Sequence, residues 1–214
     1  MRKGFTIIEV VFVFLLIFGV TFFVLPRALN TTKQARFISK WSESYSELEY
    51  IFFALKAQKD VEIYEEVKKA PTDGSREEII VNIIKPYLRI KSETKPNGYE
   101  QNYMNHKPIE KKDKYAFSKF YMTESGEVVG INWLVPDCKK DISKDVVCGV
   151  VAMDLNGVAK PNTWGEDIFG INIYNDRIEP IGKDVDSVIV KNDCSKYGQG
   201  VYCSFYYLIG GRFD

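Results

Sequence analysis

Residues 1–26 read MRKGFTIIEVVFVFLLIFGVTFFVLP, and the fold depends on how this stretch is understood. From Phe5 to Leu25 nearly every residue is Ile, Val, Phe or Leu, with Arg2 and Lys3 ahead of the run and one acid, Glu9, inside it. As a helix, about 21 residues at 1.5 Å each span about 30 Å, the thickness of a hydrocarbon core. The stretch therefore predicts a transmembrane helix over 5–25, with the basic N-terminus on the cytoplasmic side. A secretory signal would have a shorter apolar run and a small-x-small cleavage site. Here the run ends in VLPRALN, where Ala28 has no small partner at that spacing. Glu9 is the anomaly, since a carboxylate in lipid costs about 2.5–3.5 kcal/mol. No Lys, Arg or His lies between Phe5 and Leu25. Its partner is expected to come from another chain or to be created later.

The segment KGFTIIE, residues 3–9, resembles the leader and cleavage motif of type IV pilins and type II secretion pseudopilins. The resemblance implies a leader of residues 1–4, a prepilin peptidase cut between Gly4 and Phe5, and N-methylation of Phe5. It also implies that the new Phe5 amine neutralises Glu9 of a neighbouring subunit, which makes Glu9 an assembly residue. Pro26 falls where family members often carry a helix-kinking proline, and it also fits the simple end of a membrane helix.

Beyond Pro26, Phe37, Trp41, Tyr45, Leu48, Phe52 and Leu55 recur at gaps of 4, 4, 3, 4 and 3, the stripe of an amphipathic helix. The stripe reads as a core-facing side, and the resemblance implies that residues 26–70 are the outer half of a long N-terminal helix packed on a sheet. SREEIIVNIIKPYL, from Ser75, predicts a second helix opened by a Ser75–Glu78 capping box. Residues 91–114 are polar, carry Pro, Asn and Gly, and read as a long loop; the only histidine, His106, is there. YAFSKFYMT and EVVGINWLV, separated by a glycine-bearing turn, read as a hairpin. VVCGVVAMDLNG and DIFGINIYNDRIEPI supply further strands. Helices first and four or five strands after give an α+β fold with an antiparallel sheet in a globular region over 71–214.

Cys138, Cys148, Cys194 and Cys203 are an even set behind a membrane-type segment, which suggests an oxidising compartment. Three connectivities are open. The local pairs Cys138–Cys148 and Cys194–Cys203 are favoured because short loops close most readily, and the spacing needed for a zinc site is missing. The loop MDLNGVAKPNTWGEDIFG brings together the oxygen donors Asp154, Asn156, Asn162 and Asp167, a set that hard Ca²⁺ accepts. The alternative is an Asn-Gly turn, with Asp167 capping nearby amides. That alternative is preferred, because Val158 stands where the next donor would be and no bidentate Glu follows. The stretch also resembles a D-x-N-G…P-N…G-x-D-x-F segment of pilin-like globular domains.

The charge balance is even, 29 basic against 29 acidic residues, so no bulk field points to nucleic acid. No nucleophile elbow, histidine dyad or phosphate-binding glycine loop is present, and an enzyme is not expected. The resemblance implies a structural subunit of a pilus-like or pseudopilus filament. Its partners would be pilin-like subunits, prepilin peptidase and an inner-membrane assembly platform, and it would have a single-pass membrane location before extraction. The alternatives are a competence pseudopilin and an anchored extracytoplasmic domain.

Overall fold

The computed structural model describes residues 7–59, 75–93, 96–135, 138 and 146–212. The expected cut between Gly4 and Phe5 lies outside the described residues. The chain divides into two units, Met1–Phe37 and Ile38–Asp214.

In the first unit, helix α1 spans Ile7–Gly19. Val20–Val24 then widen into a π turn, and α2 (Leu25–Lys59) begins in this unit, its residues from Ile38 on belonging to the second. The cause of the interruption is local. Pro26 has no N–H to offer the Phe22 carbonyl, and the Thr21 hydroxyl donates to the Ile17 carbonyl at 2.8 Å. Such insertions are where helices change geometry. The unbroken apolar helix is thus 13 residues, about 20 Å against the roughly 30 Å of a bilayer core. The 35-residue α2 carries Arg27, Lys33, Arg36 and Lys40 in its first half. No helix among the described residues is long and apolar enough to cross a membrane. The transmembrane segment over 5–25 and the single-pass inner-membrane location are therefore corrected. The hydropathy run counted side chains and did not register the change of helical geometry at Gly19.

The second unit is α+β, with a six-stranded antiparallel sheet in plain sequence order. Its strands are β1 (Ile90–Glu93), β2 (Lys119–Thr123), β3 (Val128–Trp133), β4 (Gly149–Asp154), β5 (Ile168–Ile173) and β6 (Ile178–Pro180). Helix α3 (Ser75–Leu88) precedes the sheet, and the short helices α4 (Ser187–Asp193) and α5 (Cys203–Leu208) follow it. β1, in the stretch read as loop, is an edge strand in which only Ile90 is buried, so it lacks the alternation that identifies strands.

Every residue of β4 is buried, because both faces of the sheet are covered. On one face lie Val129, Ile131, Val151, Met153, Phe169 and Ile171, all buried. Here α2 docks: Trp41, fully buried, stacks on Phe169 with centroids 5.5 Å apart, and its indole N–H donates to the Ser204 carbonyl at 2.8 Å. Leu48, Ile51 and Phe52 extend the buried stripe, and Tyr45 is half-buried. α3 buries Ile80, Val81, Ile84 and Leu88. Glu78 is engaged by the Lys119 ammonium at 2.5 Å, a contact the capping-box reading did not include.

The other face carries Val128, Val150, Ala152 and Ile168 under an aromatic layer of Tyr99, Tyr103, Tyr115, Phe117 and Trp164. Gly130 lies on this face opposite Ala152, and a side chain there would overlap the Phe117 ring. That glycine lets the ring lie flat on the strand.

Candidate functional site

The loop between β4 and β5 connects three irregular segments, and its chemistry starts from two acids that end and precede strands. Asp154 closes β4 and pairs in register with Ile168, the first residue of β5. Both Asp154 and Asp167 are fully buried. Asp154 Oδ1 accepts the Asn156 N–H at 3.2 Å, and the Gly157 N–H bonds back to the Asp154 carbonyl at 3.2 Å. This is the side-chain and backbone pattern of an Asp-initiated turn. Gly157 has φ +72°, and a side chain there would collide with the Gly126 carbonyl, so the position requires glycine. Asp154 Oδ2 accepts the Tyr99 hydroxyl at 2.7 Å. Asp167 accepts two backbone amides, Asn162 N–H at 3.0 Å and Thr163 N–H at 2.6 Å.

The same loop ties to its surroundings by backbone. Asn102 N–H donates to the Asn162 carbonyl and Trp164 N–H to the Asn102 carbonyl, both at 3.0 Å, while Met104 N–H reaches the Gln199 carbonyl at 3.0 Å. Lys40 of α2 donates to the Leu155 carbonyl at 2.6 Å and pairs with Glu127 at 2.5 Å. Segments 96–117, 154–168 and 193–204 are thus fastened together.

Burial pushes the Asp154 carboxyl up to about 8, with the neighbouring Asp167 charge adding to the rise and the Tyr99 hydrogen bond opposing it. Burial also raises Asp167, to about 6, against the pull of its two amide donors. The Tyr99 hydroxyl is held far above its usual range by burial and by the Asp154 charge.

The four oxygen donors read from the sequence do come together in this loop. Asn156 Oδ1 and Asn162 Oδ1 are buried acceptors without a hydrogen-bond partner. Calcium needs six to eight oxygens, however, and every carboxylate oxygen here already takes an N–H or O–H donor. Among the described residues no group of three or more His, Cys, Asp or Glu side chains is placed to hold a metal. The geometry fits a hydrogen-bonded clasp better than a calcium site.

Tyr99, Lys40 and Glu127 were not singled out by sequence. Tyr99 is an aromatic in a stretch read as polar loop, and the spacing of Lys40 marks it only as the polar side of α2. His106 is exposed in its loop. The disulfides are Cys138–Cys148 and Cys194–Cys203, with Cα–Cα distances of 5.1 and 4.9 Å. The second holds the turn in which Asp193 accepts Gln199 N–H and Tyr202 N–H.

The other candidate region is α1. None of its residues is buried; Ile8 is 81 % exposed, Phe14 68 %, Leu15 65 % and Phe18 57 %. Glu9 is exposed in the first turn, where the positive end of the helix dipole favours an acid. No family model, no curated protein and no solved structure matches the chain.

Proposed function

We propose that this chain is a structural subunit of a pilin-like filament, joined to its neighbours through the N-terminal helix. One observation carries the reading. Successive residues of a helix turn by about 100°, so the unbroken exposure of Val10 through Phe18 presents apolar side chains in every direction. A helix apolar all round belongs in an interior. One partner would cover a single face, so several copies must surround each α1. The resulting structure is a bundle of α1 helices in which each copy carries its own globular unit, and the work it does is mechanical. This proposal requires no membrane-spanning helix.

Within such a bundle, removal of residues 1–4 would give Phe5 a cationic amine able to pair with Glu9 of the next subunit and set the stagger between copies. Helix contacts among apolar side chains have little directional preference, so one charge pair can select the register. Gly4→Arg is expected to block the cut and leave the leader on the chain, read by intact mass. Glu9→Val should permit processing but slow assembly.

The direct test places cysteine at Leu15 in the full chain and oxidises cells that make it. Copies linked through Cys at 15 are expected, and the link should be lost when Phe12→Glu is added. A chain that stays uncrosslinked under conditions that oxidise an exposed thiol would refute the bundle.

A further inference from the structure

The chain contains two Asn-Gly steps, Asn97–Gly98 and Asn156–Gly157, and the structure treats them oppositely. At the first, Asn97 and Gly98 are both exposed at the tip of a turn closed by the Tyr99 N–H to the Pro96 carbonyl at 3.1 Å. Gly98 has φ +70° with nothing within 4 Å of where a side chain would sit. Among the described residues, neither the Asn97 side chain nor the Gly98 amide has a hydrogen-bond partner. The second step is immobilised. The Gly157 N–H is bonded to the Asp154 carbonyl, Asn156 N–H to the Asp154 carboxylate and Asn156 Nδ2 to the Lys160 carbonyl at 3.4 Å, while the Gly126 carbonyl abuts Gly157.

We propose that Asn97 is a site of spontaneous covalent modification in the folded protein, converting to aspartate and isoaspartate, while Asn156 is protected. The step needs only water. The Gly98 backbone nitrogen gives up its proton and bonds to Asn97 Cγ; the Cγ–Nδ2 bond breaks, and ammonia leaves with that proton. Water then opens the five-membered imide at either carbonyl, giving aspartate or an isoaspartate whose backbone runs through the former side chain. Attack requires the glycine nitrogen to approach Cγ freely. Gly98 lacks the side chain that would hinder this approach, and the open turn leaves room for it, whereas the bonds at Asn156 hold both reacting groups in place.

The modification acts on the clasp. Tyr99 is the next residue but one, buried, and its hydroxyl is the donor to Asp154. Isoaspartate adds a methylene to the chain between Pro96 and Tyr99, which their hydrogen bond cannot absorb unchanged, and it adds a negative charge two residues before Tyr99. An aged molecule should therefore hold the 96–117 segment less firmly than a fresh one.

The experiment incubates purified full-length protein at mildly alkaline pH, folded and in concentrated urea, and follows both asparagines by peptide mapping. In the folded protein Asn97 should convert about tenfold faster than Asn156 or more, a barrier difference of about 1.4 kcal/mol; in urea the two rates should become equal. Equal rates in the folded protein would overturn the proposal, and so would a difference that persists in urea, since the contrast would then belong to local sequence and not to the fold. The aged wild type should melt below the fresh protein, while Asn97→Gln should keep its melting temperature over the same period. Wild type that loses Asn97 without any change in melting would overturn the link to the clasp.

Discussion

Replacing Trp41 with alanine tests how α2 is fastened to the sheet. The indole is fully buried, stacked on Phe169 at 5.5 Å, and donates to the carbonyl of Ser204, itself fully buried. Truncating a buried tryptophan costs about 3–5 kcal/mol through lost burial and the cavity left behind. The lost indole hydrogen bond accounts for about 0.5–1.5 kcal/mol of such a loss, because the Ser204 carbonyl keeps its place in the helical ladder of α5. Ser204 is also the residue whose hydroxyl accepts the Gly170 N–H at 3.0 Å, so a shift there would reach β5. For a unit of this size the loss corresponds to a fall in melting temperature of about 6–20 °C. Trp41→Phe keeps most of the apolar contact and removes the donor, and should lose less than Trp41→Ala, with the hydrogen bond itself worth about 0.5–1.5 kcal/mol. The assay is urea unfolding followed by far-ultraviolet circular dichroism, which does not depend on the tryptophan being replaced. A Trp41→Ala protein less than about 1 kcal/mol weaker than the parent would refute the docking of α2 on β5.

Three further outcomes follow from the clasp. Asp167→Ala leaves the Asn162 and Thr163 amides without an acceptor in a buried loop and should cost about 2–4 kcal/mol by the same urea titration. Stability should fall as pH rises. Asp154 and Asp167 titrate in the fold near 8 and 6 against 3.8 ordinarily, so their favourable contribution is complete below about pH 4 and is lost as pH climbs through both values. A melting profile that rises over that range, or one that Asp154→Asn leaves unchanged, would contradict this sign. Finally, a chelator should not move the melting temperature, because hydrogen-bond donors already occupy the carboxylates; a drop reversed by added calcium would show a resident cation.

Residues with strong periodicity were legible in the sequence. The stripe at Trp41, Leu48 and Phe52 specified the buried side of α2, and the alternation around Val129 and Ile131, broken by the Glu124–Gly126 turn, specified the β2–β3 hairpin. β1 was not legible, because an edge strand with one buried residue carries no alternation. α4 and α5 were hidden for another reason: segments of seven and six residues are too short to display a helical period, and both are fixed by tertiary contacts and by the Cys194–Cys203 bond. At the N-terminus hydropathy identified an apolar helix but gave the wrong length, because a π turn is a backbone event shaped by Thr21 and Pro26. In the β4–β5 loop the acids and amides were identified from the sequence as one group. Their bonding was not, since it depends on Tyr99, which is 55 residues from Asp154.

The sheet runs in sequence order, so each strand finds its neighbour soon after it is made, and such local pairing closes quickly. The docking of α2 does not share this property. The acceptor for Trp41 is Ser204, 163 residues downstream. During synthesis the apolar stripe of α2 must therefore wait, uncovered, until β3, β4 and β5, which form the face it packs on, have emerged, and the Trp41 indole until residue 204 has. The interval between translation and closure is when premature association of nascent chains would compete with folding, and its length is set by the sequence separation between α2 and the strands and helix that cover it.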